Sequence, residues 1–181
     1  MQTSPDFTSV AIATGYDIFN GFKKVGFAID SLAAGQISFT CVENTNKWLA
    51  SNFGVNFSIF YEQNALPCVS PQFARFHIRD AIGFEGDLIA TSYNTLKSIK
   101  GATRSKRYYY INDIEWWRPW FKDSINEIKA LSQDDSIVKF CRSQDHRDRL
   151  LDMGFEVSPI IVEDFNIDKI LEIINENKVS R

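Results

Sequence analysis

At 181 residues, with 44% hydrophobic and 24% charged content, the chain has the balance of one soluble globular domain able to bury a core. A net charge of −3 gives no global pull toward nucleic acid or an anionic membrane surface. No apolar run approaches the roughly 18 residues of a transmembrane helix, and the polar N-terminus lacks the basic start and apolar centre of a signal peptide. Three cysteines, Cys41, Cys68 and Cys141, are odd in number and far apart. They read as reduced, mostly buried thiols of a cytoplasmic protein, and not as a disulfide framework or a zinc site.

In chain order, residues 8–14 form a short apolar run closed by Gly15 and predict a first strand. Residues 16–26 read as a loop entering a helix that ends near Gly35. The glycines Gly15, Gly21 and Gly26 do not have the G-x-G-x-x-G spacing of a dinucleotide fingerprint, so turns and close helix packing account for them. Residues 36–42 are rich in β-formers and predict a second strand. Residues 46–52 predict a helix with Gly54 as its C′ glycine. Residues 55–61 alternate apolar and polar, which predicts a third strand, nearer a sheet edge. Pro67 and Pro71 mark a loop, and a helix follows over about 71–82 with Phe73 and Phe76 on its inner side. Residues 87–91 predict strand four, and Ser92 opens a helix containing Leu96 and Ile99.

Strand five, residues 107–112, lies inside the most distinctive stretch of the chain, 105–121. That stretch begins basic and becomes a run that reads as a buried strand, Tyr108-Tyr109-Tyr110-Ile111. It ends in Asn112, Asp113 and Glu115, followed by Trp116, Trp117, Arg118 and Trp120. A helix is predicted from about 119 to 131, with Pro119 suited to its first turn and Ile125, Ile128 and Leu131 as its apolar stripe. Residues 136–141 predict strand six. The next helix carries Leu150, Leu151 and Met153 and stops at Gly154, residues 158–162 predict a last short strand, and a closing helix covers 168–177. Alternating strands and helices with short connections predict a single α/β, Rossmann-like, doubly wound domain over 1–181. Its sheet is mostly parallel and six- to seven-stranded, with helices on both faces; residues 1–7 and 176–181 are expected to be flexible ends.

Such a sheet gathers its ligands outside the C-terminal ends of the strands. Those ends bring together Thr14, Gly15 and Tyr16; Ser92, Tyr93 and Thr95; Asn112, Asp113 and Glu115; and Arg142 and Ser143. A carboxylate there could act as a general base toward a hydroxyl. The helix N-termini after strands four and six, helped by Ser92 and Arg142, could hold a phosphate. Plainer readings stand beside these. Asp113 caps a helix or pairs with Arg118, and Glu115 is a solvated loop carboxylate. The tryptophans stack on a sugar or base, or belong to the core or an interface. His77 has no second ligand nearby and reads as structural or exposed, and His146 reads as part of a solvated helix face. Lys97, Lys100, Arg104, Lys106 and Arg107 read as solvated surface, with salt-sensitive contact to a nucleic-acid backbone as the alternative. No metal-ligating motif is present.

Two stretches together resemble the N-terminal, acceptor-side domain of GT-B glycosyltransferases: Asp87-Leu-Ile-Ala-Thr-Ser-Tyr-Asn-Thr95 and Lys106-Arg-Tyr-Tyr-Tyr-Ile-Asn-Asp113. The second is similar to a strand of bacteriophage DNA glucosyltransferases that ends in the aspartate serving as base for the acceptor hydroxyl. The resemblance therefore implies Asp113 as the catalytic residue. Asn20-Gly21-Phe22-Lys23-Lys24 resembles the loop opening the first helix of such enzymes, and Arg142-Ser143 the strand end leading to their second half. With the strand ends, this gives Gly15, Asn20, Gly21, Ser92, Thr95, Glu115, Arg118, Arg142 and Ser143 as substrate-binding candidates. The implied co-substrate is a nucleotide sugar, with no other cofactor and no metal. GT-B enzymes hold the donor mainly on a C-terminal half, so the expectation is an acceptor half that works with a partner subunit or as a homodimer. DNA as acceptor is not supported by the net charge. The alternative is a non-catalytic binding or assembly module that uses the tryptophans at 116–120 as an interface. A nucleotide-binding enzyme of another class lacks any P-loop, fingerprint or triad order in this sequence.

Overall fold

The computed structural model describes residues 22–32, 36–63, 69–117 and 125–179. The first predicted strand, Cys68, Trp120 and the site candidates Gly15, Asn20, Gly21 and Arg118 lie outside the described residues.

The first described element is a strand, β1 (Lys23–Ser31), in a segment where the sequence predicts helix. Val25 through Ile29 are all buried, because Val25, Phe27 and Ile29 pack on one face of the sheet while Ala28 packs on the other. Gly26 serves close packing within this strand and not a turn. A Cβ there would lie 2.8 Å from the Leu88 side chain and 2.9 Å from that of Phe60.

The predicted second strand and the short helix after it are one helix, α1 (Gln36–Ser51). Ile37, Cys41, Thr45 and Trp48 recur at helical spacing, with Cys41 and Thr45 fully buried and Ile37 and Trp48 packed on the same core. Burying that stripe against the sheet overrides the β-propensity of residues 36–42. Gly54 does adopt the left-handed conformation, at φ +91°.

β2 (Val55–Gln63) follows the predicted segment. The predicted helix over 71–82 is instead an edge strand, β3 (Ala74–His77), followed by a 3-10 turn, Ile78–Gly83. Phe76 stacks on Phe60 of β2 at 5.5 Å, which pins the strand register. His77 is exposed and caps the turn: its Nδ1 accepts from the Arg79 N–H and its own N–H donates to Asp80.

The later elements fall on their predicted segments: β4 (Asp87–Ala90), α2 (Tyr93–Ser98), β5 (Lys106–Ile111), α3 (Ile125–Ser132), β6 (Ile137–Cys141), α4 (Gln144–Asp152) and α5 (Ile167–Val179). Helix α4 ends as predicted at Gly154, whose φ is +84°. The Gly154 N–H donates to Leu151 O and the Phe155 N–H to Leu150 O, both at 2.9 Å, the reciprocal pattern of a Schellman cap. Residues 158–162 are not a strand. Ser158 N–H donates to Lys139 O and Val162 N–H to Cys141 O, but four residues here span two of β6, and Pro159 has no N–H to give. The segment runs along the β6 edge without joining the ladder.

The six strands are all parallel, in the order β3-β2-β1-β4-β5-β6. One core packs α1 and α5 on one face of the sheet, and the other packs α2, α3 and α4 on the opposite face. This is a single Rossmann-like α/β domain, its parallel sheet covered on both sides. Successive side chains of β5 divide between the faces: Tyr108 and Tyr110 toward α1 and α5, Tyr109 and Ile111 toward α2, α3 and α4. After β1 the chain passes to one face, and after β4 to the other. The strand order therefore reverses between β1 and β4, and a crevice opens there at the C-terminal ends.

Candidate functional site

The crevice is built from the ends of four strands. β1 contributes Asp30, β2 contributes Glu62, β4 leads into Thr91 and Ser92, and β5 leads into Asp113 and Glu115. Thr91 ties the two central strands together: both its N–H and its hydroxyl donate to Ala28 O, at 3.1 and 3.0 Å. The Ser92 hydroxyl lies 3.0 Å from the Asp30 carboxylate, to which it donates. Asp30 is half-buried, and burial lifts its carboxyl above the usual range. The Ser92 hydrogen bond lowers it, and the Glu62 charge raises it further. The Glu62 carboxylate in turn accepts from the Ser98 hydroxyl at 2.5 Å.

Tyr109 of β5 packs in the core beneath α2, α3 and α4. Its ring is fully buried, and its hydroxyl has no hydrogen-bond partner among the described residues. Burial raises the phenol well above its ordinary value, and the charges of Glu115, Asp30 and Asp113, together with Tyr93, raise it further. Those groups therefore act on one hydroxyl. The structure thus gathers the predicted residues Ser92, Thr95, Asp113 and Glu115, and it adds Asp30, Glu62 and Tyr109.

The start of α2, where the sequence places a phosphate site, is capped by its own side chains. Ser92 and Thr95 satisfy each other reciprocally: Thr95 N–H donates to Ser92 Oγ at 3.1 Å, and Ser92 N–H donates to Thr95 Oγ1 at 3.0 Å. The Tyr93 N–H points at the Glu115 carboxylate, 3.4 Å away. Glu115 is thus half-buried at the helix start and not a solvated loop carboxylate. A phosphate in this position would meet carboxylates where it needs donors.

Arg142 and Ser143 sit one strand further along. The Ser143 hydroxyl is taken up as the α4 cap, accepting from the His146 N–H at 3.3 Å. Arg142 is exposed. His146 is half-buried, with Nδ1 enclosed and unpartnered among the described residues, and does not lie on a solvated face. Burial lowers its pKa and the Arg142 charge lowers it further, while Asp113 opposes both. Arg142, His146 and Asp113 therefore share one neighbourhood on the β6 side of the crevice.

Other expectations resolve simply. Trp116 is buried and stacked on Phe155 at 5.3 Å and 8°, in the core of the α2, α3 and α4 side. The side chains of Trp117 and Trp120 lie outside the description. Four side chains of the basic set are engaged by the fold. Lys97 pairs with Glu127 and Arg104 with Glu85, Lys106 donates to Asn177 O, and Arg107 donates to Lys100 O and Ser136 Oγ. Arg104, Lys106 and Arg107 also stand at the start of β5, the end opposite the crevice. Cys41 and Cys141 are buried free thiols, both shifted up by burial. Among the described residues no cluster could hold a metal ion, and no helix is long and apolar enough to cross a membrane. A groove of about 560 Å³ between α2 and α3 is larger than a surface dimple, but its lining charges Lys97 and Glu127 are mutually paired, and Glu127 also accepts from the Tyr93 hydroxyl at 2.7 Å.

No family model matches this chain, and no curated protein or solved structure matches it either.

Asp30 was missed by sequence reasoning because its segment was expected to be helical. The available signal was the Val25, Phe27, Ile29 alternation ending in an acid and a serine.

Proposed function

We propose that the chain is a glycosyltransferase-like, acceptor-side domain in which the crevice carboxylates receive the proton of an acceptor hydroxyl as a sugar is transferred from a nucleotide-sugar donor. The observation that carries this reading is Asp30: a half-buried carboxylate of raised basicity, oriented by Ser92 at 3.0 Å, at the reversal point of a parallel sheet. Asp113, the base that the resemblance implies, lies on the same crevice and acts on the same buried phenol. Asp30 has the environment of a base. The self-capped start of α2 and the surrounding carboxylates disfavour nucleotide phosphates, so the donor is held by a second half, from a partner subunit or a second copy.

The test is sugar transfer or donor hydrolysis across a panel of nucleotide sugars, with the chain alone and combined with the products of neighbouring genes. Wild type turns over, Asp30→Asn loses about 10²–10⁴-fold, the usual worth of a general base, and Asp113→Asn loses less. Absence of turnover with every donor, or full activity in Asp30→Asn, overturns the reading.

A further inference from the structure

Lys139 of β6 is an amine inside the fold. It alternates along the strand with Ile137 and Cys141, and it is only 2% exposed. Its ammonium group donates to Asp134 O at 2.9 Å, and among the described residues no carboxylate forms an ion pair with it. An ammonium carries three donors, so that bond leaves two of them unfilled among the described residues. A second observation concerns the space beside it. A cavity of about 290 Å³ opens at the start of β6, and Lys139 lines it together with Asp135, Glu156 and Glu176. Ser158 and Pro159, which run along the β6 edge, form another part of the wall, and Asn177 of α5 a third. Burial lowers the basicity of the amine, while the charges of Asp134, Asp135 and Glu156 oppose that effect. A buried ammonium that loses its proton escapes a desolvation cost and exposes a nitrogen lone pair.

We infer that Lys139 is a reactive amine whose nitrogen forms an imine with a small neutral aldehyde held in this cavity. The lone pair of the neutral amine attacks the carbonyl carbon, and the carbonyl π electrons pass to the oxygen. The two nitrogen protons end on that oxygen, which leaves as water, and a carbon–nitrogen double bond remains. Nothing is oxidised or reduced. The carboxylates of the wall set the class of electrophile, because they repel a carbonyl compound that is itself an anion. The cavity stands at the start of β6, the end of the sheet opposite the crevice, so the inference is independent of the acceptor-domain reading.

The experiment is reductive labelling of the full chain with propionaldehyde and sodium cyanoborohydride near neutral pH, followed in time by peptide mass mapping. The hydride reduces the imine and so records which nitrogen formed it. Lys139 is labelled about tenfold faster than the exposed Lys100, Lys129 and Lys169, the excess of neutral amine that one unit of pKa supplies. That preference shrinks as the pH rises and the exposed lysines lose their own protons. It shrinks severalfold with glyoxylate, an anionic aldehyde, and vanishes in urea-unfolded chain. Lys139→Arg keeps the positive charge and removes the fast adduct from the intact mass. Labelling of Lys139 no faster than that of the exposed lysines, an equal preference with glyoxylate, a preference that survives unfolding, or a fast adduct that persists in Lys139→Arg overturns the inference. The comparison is made among lysines of one wild-type chain, so it does not depend on how well the variant folds.

Discussion

Asp30 is a residue at which stability and function pull in opposite directions. Burial disfavours its charged form, so its pKa in the folded chain lies above the ordinary 3.8. A group raised on folding contributes most below its unfolded pKa, and that contribution is lost as the pH rises through the folded value. Asp30→Asn, which mimics the protonated form, is therefore expected to melt higher than wild type near neutral pH. The gap should close as the pH falls toward and below 3.8. Thermal melts across that range check it, and a neutral-pH loss of stability in Asp30→Asn would show the charge to be paired after all. Tyr109 gives a companion case. Removing a buried hydroxyl that has no partner is neutral or stabilising by up to about 1 kcal/mol, whereas removing a satisfied one costs a similar amount. Denaturant unfolding of Tyr109→Phe measures the sign. Asp113 and Glu115 were legible in the sequence because a long buried run visibly ends in them. Tyr109 was not, since no sequence pattern says which of three consecutive tyrosines has a hydroxyl without a partner among the described residues.

Among the elements, those with unambiguous local signals formed as expected. α4 has a serine cap at Ser143 and a glycine stop at Gly154, and both are used. Gly154→Ala should cost about 1 kcal/mol, because a Cβ is unfavourable at φ +84°. Ser143→Ala should cost about the same through loss of the cap. Chemical denaturation of both variants checks the pair, and a neutral Gly154→Ala would contradict the Schellman geometry. β1 and α1 were exchanged in the sequence reading for physical reasons. Lys23, Lys24 and Gly26 interrupt the apolar pattern of β1, while the β-formers of residues 36–42 hide a helical stripe that only the sheet rewards. Propensity is a weak prior, and here tertiary burial decided against it. β3 was hidden for a related reason: it is a four-residue edge strand with all side chains exposed, so it has no hydrophobic run to read.

At the scale of the whole molecule, strand–helix alternation was enough to predict a parallel, doubly wound sheet. The order β3-β2-β1-β4-β5-β6 was not legible, because it depends on which face each crossover takes. The site followed from that order. With β1 read as helix, Asp30 and Glu62 could not be brought beside Ser92, and the crevice looked like a phosphate site. With the order known, Asp30 and Glu62 end adjacent strands at this crevice. Ligands that bind only the folded chain raise its stability, so with the donor held by a second half, UDP should leave the melting temperature of the chain alone unchanged. The most direct test of the account is sugar transfer by wild type and Asp30→Asn across a panel of nucleotide sugars, with the chain alone and with the products of neighbouring genes. The account predicts turnover that Asp30→Asn lowers about 10²–10⁴-fold. Absence of turnover with every donor, or full activity in Asp30→Asn, would contradict it.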